Sequence, residues 1–210
     1  MPLITKSDGS KFGKTESGTV WLDPRRTSPY SFYQFWLSVA DADVYRFLRY
    51  FTFLSVAQIS AIEAEDMHRD GRPEAQGVLA EEVTRLVHGQ SGVDAAKRIS
   101  ESLIAGDATS LSADDLAQLR LDGLPASHLD FSAMPETMTQ LFTDCGLAGS
   151  GKQVKDALQR NAVVINGRAV GMDFNADLAQ VFAPEHALHG RYYLVKLGKK
   201  KYHLFDREAV

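Results

Sequence analysis

At 210 residues, with 44% apolar and 24% charged side chains, the chain has the composition of one large folded domain or two to three small ones, which excludes collagen, bulk disorder and a membrane protein. No run of about 18 uncharged apolar residues occurs, since the aromatic stretch from Tyr30 to Phe53 is cut by Asp41, Asp43, Arg46 and Arg49. The opening Met1-Pro2-Leu3-Ile4-Thr5-Lys6 lacks a secretory pattern, and the single Cys145 fits a reducing compartment and excludes a multi-cysteine zinc site, so a cytoplasmic protein is expected.

The net charge of −4 conceals an asymmetry: residues 1–149 carry 13 Lys+Arg against 21 Asp+Glu, and residues 150–210 carry 10 against 6. A basic tail on an acidic body fits a polyanion-binding module, beside the plainer reading of ordinary variation between two small domains.

In chain order, the first 28 residues read as loop and turn, with Gly9, Gly13, Gly18 and Pro24 as breakers around the short apolar Val20-Trp21-Leu22. From Ser28-Pro29 the period turns helical: Phe32, Phe35, Trp36 and Val39 fall at i, i+3, i+4, i+7, and Val44, Phe47, Leu48 and Phe51 repeat the spacing. Half of the chain's twenty aromatics lie between Tyr30 and Phe53, where they serve as the core of crossing helices or as an exposed docking face. Ser55 with Gln58 starts a third helix through a capping box, and Glu65 to Pro73 is a loop. Two further apolar stripes follow, Leu79 to Val87 ended by Gly89 and Ala96 to Leu103 ended by Gly106, which predicts an all-helical domain over residues 29–106.

Ser112 caps a short helix through Leu119, after which Gly123, Pro125 and Pro135 leave residues 107–135 as a linker. The final module, residues 136–210, opens with helices on Met138, Leu141, Phe142 and Cys145 and on Ser150, Val154, Ala157 and Leu158. Val163-Val164-Ile165, Asn166-Gly167 and Ala169-Val170 then give a hairpin, and Arg191 to Leu197 and Tyr202 to Phe205 flank Gly198-Lys199-Lys200-Lys201. The fold expected is mainly α, a helical domain followed by a small α+β domain.

Gly146 to Lys152 has the G-x-x-x-x-G-K spacing of a phosphate-cradling loop. Gln153 stands where the Mg²⁺-holding hydroxyl belongs, no strand precedes the loop, and too little chain remains for the parallel sheet behind it. A Gly-terminated helix, a tight turn and a Ser150-capped helix account for it better. That helix sets Lys152, Lys155 and Gln159 near one face, and with Arg160, Arg168 and Lys199-Lys200-Lys201 the module can neutralise several phosphates. A solvated charge run is the alternative. No metal site is recognisable, since His186 and His189 lack a third ligand, and no Ser/His/Asp or Cys/His nucleophile has support, His88 reading as a packed or capping residue. In Lys11-Phe12-Gly13-Lys14-Thr15, two ammonium groups three apart on a Gly-containing loop can reach the phosphates of a nucleotide.

That pentad with Glu16-Ser17-Gly18, Val20-Trp21-Leu22-Asp23, Thr27-Ser28-Pro29-Tyr30, Phe32-Tyr33-Gln34-Phe35-Trp36, Phe51-Thr52-Phe53-Leu54, Leu79-Ala80-Glu81-Glu82-Val83-Thr84 and Val87-His88-Gly89 resembles bacterial tyrosyl-tRNA synthetase from just after its catalytic domain onward. By that resemblance the pentad is the Lys-Met-Ser-Lys-Ser-type loop of class I synthetases, so Lys11, Lys14 and Thr15 take its role on ATP, Lys14 holding the nucleotide, with Mg²⁺ the expected companion. Residues 1–28 become the end of the catalytic domain, 29–106 the anticodon-arm domain, and 136–210 a small RNA-binding domain shared with a small-subunit ribosomal protein, built on its αL motif.

The resemblance implies tyrosine tRNA as partner, held by Lys152, Lys155, Arg160, Arg168, Lys199, Lys200 and Lys201, with no membrane involved. Leu197 departs from relatives that carry a second Arg beside the cation at Lys196, which implies a weaker grip. The Rossmann-type catalytic domain with its His-x-Gly-His loop and tyrosine pocket has no counterpart before Lys11. The chain is therefore expected to be a C-terminal part, inactive alone and monomeric, of an enzyme whose full length is homodimeric. A stand-alone protein-interaction module built on the Tyr30 to Phe53 aromatics is the reading from another class.

Overall fold

The computed structural model describes residues 4–7, 9–10, 12–15, 18–71 and 73–208, with backbone alone at Lys14, Thr15 and Gly18. The chain divides into two compact units, residues 1–97 and 98–210.

In the first unit a two-stranded ribbon, β1 (Lys14–Thr15) and β2 (Gly18–Thr19), precedes α1 (Pro29–Leu37), α2 (Asp41–Phe51), α3 (Val56–Met67) and most of α4 (Ala75–Ala105). Each boundary has a chemical cause. Ser28 Oγ accepts from Ser31 N at 3.0 Å, with Pro29 in the first helical turn, where its missing N–H costs nothing. Asp41 and Asp43 sit in the first turn of α2 and Arg49 in its last, as the helix dipole favours. Ser55 and Gln58 form a reciprocal capping box on α3, with Ser55 N donating to Gln58 Oε1 at 2.8 Å. The apolar stripes of these helices bury Phe32, Tyr33, Trp36, Val44, Phe47, Leu48, Ile59, Leu79 and Val83 as one core. Gly89, where the sequence ends one stripe, breaks α4 with φ 73° and ψ 178°, a conformation that glycine alone adopts readily.

The second unit begins with the last two turns of α4. Arg98 binds Asp115 in bidentate fashion at 2.8 and 2.7 Å, which ties α4 to α5 (Ala113–Gln118). The same carboxylate closes the α5 capping box with Ser112. A single π turn, Leu119–Gly123, leads to β3 (Ala126–His128). Then come α6 (Met138–Asp144), α7 (Gly151–Gln159), β4 (Val163–Ile165), β5 (Arg168–Val170), α8 (Leu178–Val181), β6 (Tyr192–Leu197) and β7 (Lys201–Asp206). The sheet order is β3-β7-β6-β4-β5, antiparallel except for the β3–β7 pair.

Alternation along β6 and β7 gives the sheet two different faces. Tyr193, Val195, Leu197 and Phe205 join Leu141 and Phe142 of α6, Val154 and Leu158 of α7 and Phe182 in one core. Lys196 and Tyr202 point the other way, where Tyr202 Oη donates to Leu103 O at 2.5 Å and the Lys196 ammonium stands 5.3 Å over the Tyr202 ring.

The segment 107–135, a linker by sequence, carries α5, the π turn and a strand of the sheet. Ala126-Ser127-His128 has no alternation to announce a strand, and its parallel partner is Leu204-Phe205-Asp206, so the signal is wholly non-local. The boundary between the two compact units falls inside α4, earlier than Gly106.

Candidate nucleic-acid interface

The face is assembled around α7. Ser150 Oγ accepts from Gln153 N at 3.3 Å, and Gln153 Oε1 accepts from Gly149 N at 3.1 Å. Val154 and Leu158 are buried and turn Lys152 and Lys155 to solvent, with Arg160 at the C-cap. The β6–β7 loop stands beside both ends of this helix. Gly198 N donates to Ala162 O at 2.8 Å, and Lys201 Nζ reaches Leu147 O at 3.4 Å. A groove of about 450 Å³ runs between Lys152, Asp156, Arg160 and Gly198. A second one of about 290 Å³ lies between Gly146, Leu147, Lys200 and Lys201.

Lys152, Lys155, Arg160, Lys199, Lys200 and Lys201 are all exposed, and none has a carboxylate within ion-pair distance among the described residues. Most arginines elsewhere are engaged. Arg191 grips the fully buried Asp206 through two bonds of 2.8 Å, and Arg120 binds the same carboxylate. Burial pushes the Asp206 carboxyl up, but the Arg191 and Glu208 N–H donors and the two guanidinium charges outweigh it and hold the group below its ordinary range. These pairs tie β7 to its surroundings and leave no spare charge for a ligand.

The structure separates one predicted site residue from the others. Arg168 opens β5 opposite Ile165, at the far end of the β4–β5 hairpin from Ala162, and lines a different cavity. Leu197 is buried in the core, and the neighbouring Lys196 lies on the opposite face of the sheet. In the loop from Gly146 to Lys152, Ala148 N donates to Phe142 O and Gly149 N to Gln153, so amides that a phosphate cradle would offer are spent. His186 Nδ1 is 3.1 Å from Gln180 O and His189 Nε2 is 2.8 Å from Leu111 O, so each ring already engages a carbonyl. Among the described residues no three His, Cys, Asp or Glu side chains cluster as metal ligands, and no helix is long and apolar enough to cross a membrane.

In the first unit, Lys11 lies outside the described residues, as do the side chains of Lys14 and Thr15. Between them, Phe12 inserts its ring among Phe35, Trp36, Phe47 and Phe51, with centroids 5.3, 5.1, 4.5 and 5.4 Å away. Sequence reasoning missed this anchor. The signal available was an aromatic side chain inside an otherwise polar pentad. The aromatic run supplies core more than surface: Phe32, Tyr33, Trp36 and Phe47 are buried, and of the larger side chains Trp21 at 40%, Tyr50 and Phe53 at 89% are exposed. His88 packs edge-on against Phe32 at 4.8 Å, and burial lowers its affinity for a proton. Asp43 is buried and accepts from Ser7 N at 2.9 Å and Arg46 at 2.5 Å, and Asp41 accepts from Gln76 at 2.6 Å, so both carboxylates are engaged within the fold.

Residues 1–105 match the family model for tRNA synthetases class I (W and Y), and residues 115–205 match the model for the tyrosine–tRNA ligase SYY-like C-terminal domain. Tyrosine–tRNA ligase of Aliivibrio fischeri strain MJ11 is 53% identical over 205 residues, covering 98% of this chain and 46% of that protein. The corresponding ligase of Laribacter hongkongensis is 54% identical over 205 residues, covering 97% of this chain and 46% of that protein. The chain spans about half the length of the curated relatives it matches. Among solved structures, a C-terminally truncated mitochondrial tyrosyl-tRNA synthetase from Aspergillus nidulans aligns with TM-score 0.39 and 38% identity over 42% of this chain and 25% of that one.

Proposed function

The chain belongs to the class I tRNA synthetases of the tryptophan and tyrosine type, matching the C-terminal portion of tyrosine–tRNA ligase, and from that membership we propose that it is the part of such a ligase that binds tyrosine tRNA. The observation that carries this reading is the set of exposed cations on α7 and the β6–β7 loop that have no carboxylate partner among the described residues. Phosphates would replace the counterions of these groups, a sequence-independent and salt-sensitive contribution. Arg168 would extend the contact from the other end of the hairpin.

The whole ligase would activate tyrosine with ATP, the tyrosine carboxylate attacking the α-phosphate with release of pyrophosphate, and would then transfer the tyrosyl group to the terminal ribose of the tRNA with release of AMP. Lys11, Lys14 and Thr15 would serve in this reaction, the lysines countering charge that develops on the departing pyrophosphate. A Rossmann-type nucleotide-binding sheet and the dimer interface would belong to the part of the ligase that this chain does not span. The domain division we favour keeps residues 1–28 with that catalytic part, 29–106 at the anticodon arm and the basic C-terminal residues on RNA, in the cytoplasm.

The test is direct binding of this chain to a tyrosine tRNA transcript and to an unrelated tRNA at roughly 50 and 200 mM salt. Preference for the tyrosine tRNA, with affinity falling as salt rises, is the expected result. Equal binding to both would assign the specificity to the rest of the ligase, and absence of binding at low salt would defeat the RNA reading. We assign the adenylate pocket, which orients ATP against a carboxylate, to the part of the ligase outside these residues, so tyrosine-dependent exchange of pyrophosphate into ATP by this chain alone would contradict that assignment.

A further inference from the structure

We propose that the cavity between the β4–β5 hairpin and the segment carrying α8 is a nucleobase subsite that takes one unstacked guanine from the RNA held by the cationic face. The cavity encloses about 540 Å³, within the roughly 300–1,000 Å³ usual for small-ligand sites.

Its frame is preformed. Asn166 Nδ2 donates to His186 O at 2.8 Å while its Oδ1 accepts from Leu194 N at 2.7 Å, which locks the 184–188 segment onto the hairpin. Tyr193 Oη, 2.7 Å from Phe182 O, fixes the end of α8 from beneath. Those polar groups are consumed by the fold. The groups left over at the rim are Arg168, Gln180 and Glu185, exposed and with side chains in no hydrogen bond or ion pair among the described residues. Ile165 and Val170 supply apolar floor, and the Phe174 ring, 38% exposed, borders the opening.

An exposed aromatic ring beside a free guanidinium and a free carboxylate is the chemistry that recognises an unpaired base. The ring gives a stacking platform, and the polar groups read the base edge. The rim set selects among bases. A carboxylate accepts from two adjacent N–H groups, which the Watson–Crick edge of guanine presents, and a guanidinium donates to the neighbouring keto oxygen. Adenine places a ring nitrogen acceptor where the carboxylate needs a donor.

The location suits a base whose backbone is held next door. Arg168 is paired with Ile165, three residues along the chain from Ala162, which lines the α7 groove; at about 3.3 Å per residue the two sites are about 10 Å apart, a nucleotide or two of extended chain. This subsite rests on the RNA reading above, and the experiment separates the two.

The assay is fluorescence anisotropy of this chain with short oligouridines carrying one central guanine or one central adenine, at low salt. Wild type is expected to prefer the guanine oligomer by about tenfold. Glu185→Gln should abolish that preference while leaving the affinity for plain oligouridine unchanged. Phe174→Ala, at a partly exposed position, should weaken the guanine oligomer most, and the Lys152→Ala/Lys155→Ala pair should weaken all oligomers by the same factor. Equal binding of the guanine and adenine oligomers by wild type, or a guanine preference that survives both Glu185→Gln and Phe174→Ala, overturns the subsite and leaves the RNA reading standing. Absence of binding to every oligomer and to tRNA overturns both.

Discussion

Replacing Lys152 and Lys155 by alanine removes two of the six exposed cations on the α7 and β6–β7 face without touching Val154 or Leu158, which fasten the helix to its core. If all of Lys152, Lys155, Arg160, Lys199, Lys200 and Lys201 meet phosphates, each releases about 0.9 counterion, and the logarithm of affinity falls against the logarithm of salt with a slope of about −5. Raising salt fourfold, from about 50 to about 200 mM, then costs about three orders of magnitude in affinity. The double variant should show a slope shallower by about 2 and weaker binding at the low-salt end, so that its curve converges on wild type as salt rises. Filter binding of a tyrosine tRNA transcript over a salt series reads both quantities at once. A parallel slope in wild type and variant would refute the reasoning, because it would mean that neither lysine displaces a counterion from the RNA.

Asp206→Ala should destabilise the second unit by about 3–5 kcal/mol in urea unfolding, since it leaves Arg120 and Arg191, both largely shielded from solvent, without their shared partner; a loss below about 1 kcal/mol would show that the pair contributes little. His203 is buried, and burial pushes its pKa from 6.5 to about 4, so the unfolded chain takes up the proton first as pH falls. The stability is complete above about pH 6.5 and declines towards about pH 4, by on the order of 3 kcal/mol, and urea midpoints across that interval should flatten in His203→Gln. Asp115 acts in a lower window: burial pushes its carboxyl up, but the hydrogen bonds and charge of Arg98 and the bonds from Ser112 win and lower it, so its contribution is present above the ordinary carboxylate range and is lost as pH falls through the depressed value. Gly106→Ala should cost about 1–2 kcal/mol, because φ is 76° and a Cβ would stand 2.9 Å from Lys196 Nζ. Gly89→Ala, with φ 73° and open space around the new methyl, should cost only the backbone part, and equal melting-temperature shifts in the two variants would remove the Lys196 contact from the account.

What could be read in the sequence was whatever has a local cause. Ser28, Ser55, Ser112 and Ser150 mark four helix starts because a short side-chain oxygen can reach an amide two or three residues on. Asn166-Gly167 marks a hairpin because its backbone supports φ of 49° and 81°. β3 escaped notice because it pairs with β7, far along the chain, and three residues of Ala-Ser-His carry no pattern of their own. Arg168 was grouped with the other cations for a related reason. Sequence shows it eight residues from Arg160, but only the register of β4 with β5 reveals that it stands at the opposite end of the hairpin.

The charge asymmetry was legible, yet the count of charges is not itself the functional signal. Arg98, Arg120 and Arg191 belong to the same unit as Lys152 and Lys199, and a formal sum treats all five alike. The first three are held against the buried carboxylates of Asp115 and Asp206, where planar guanidinium forks match carboxylate geometry and hold α4, the π turn and β7 in place. A cation so engaged has already exchanged its hydration for a partner and has little to gain from a phosphate. The lysines on α7 and the β6–β7 loop have no carboxylate partner among the described residues, so on the RNA reading they would keep their counterions until a polyanion displaces them, and the charge available for binding would be the charge that folding leaves unpaired.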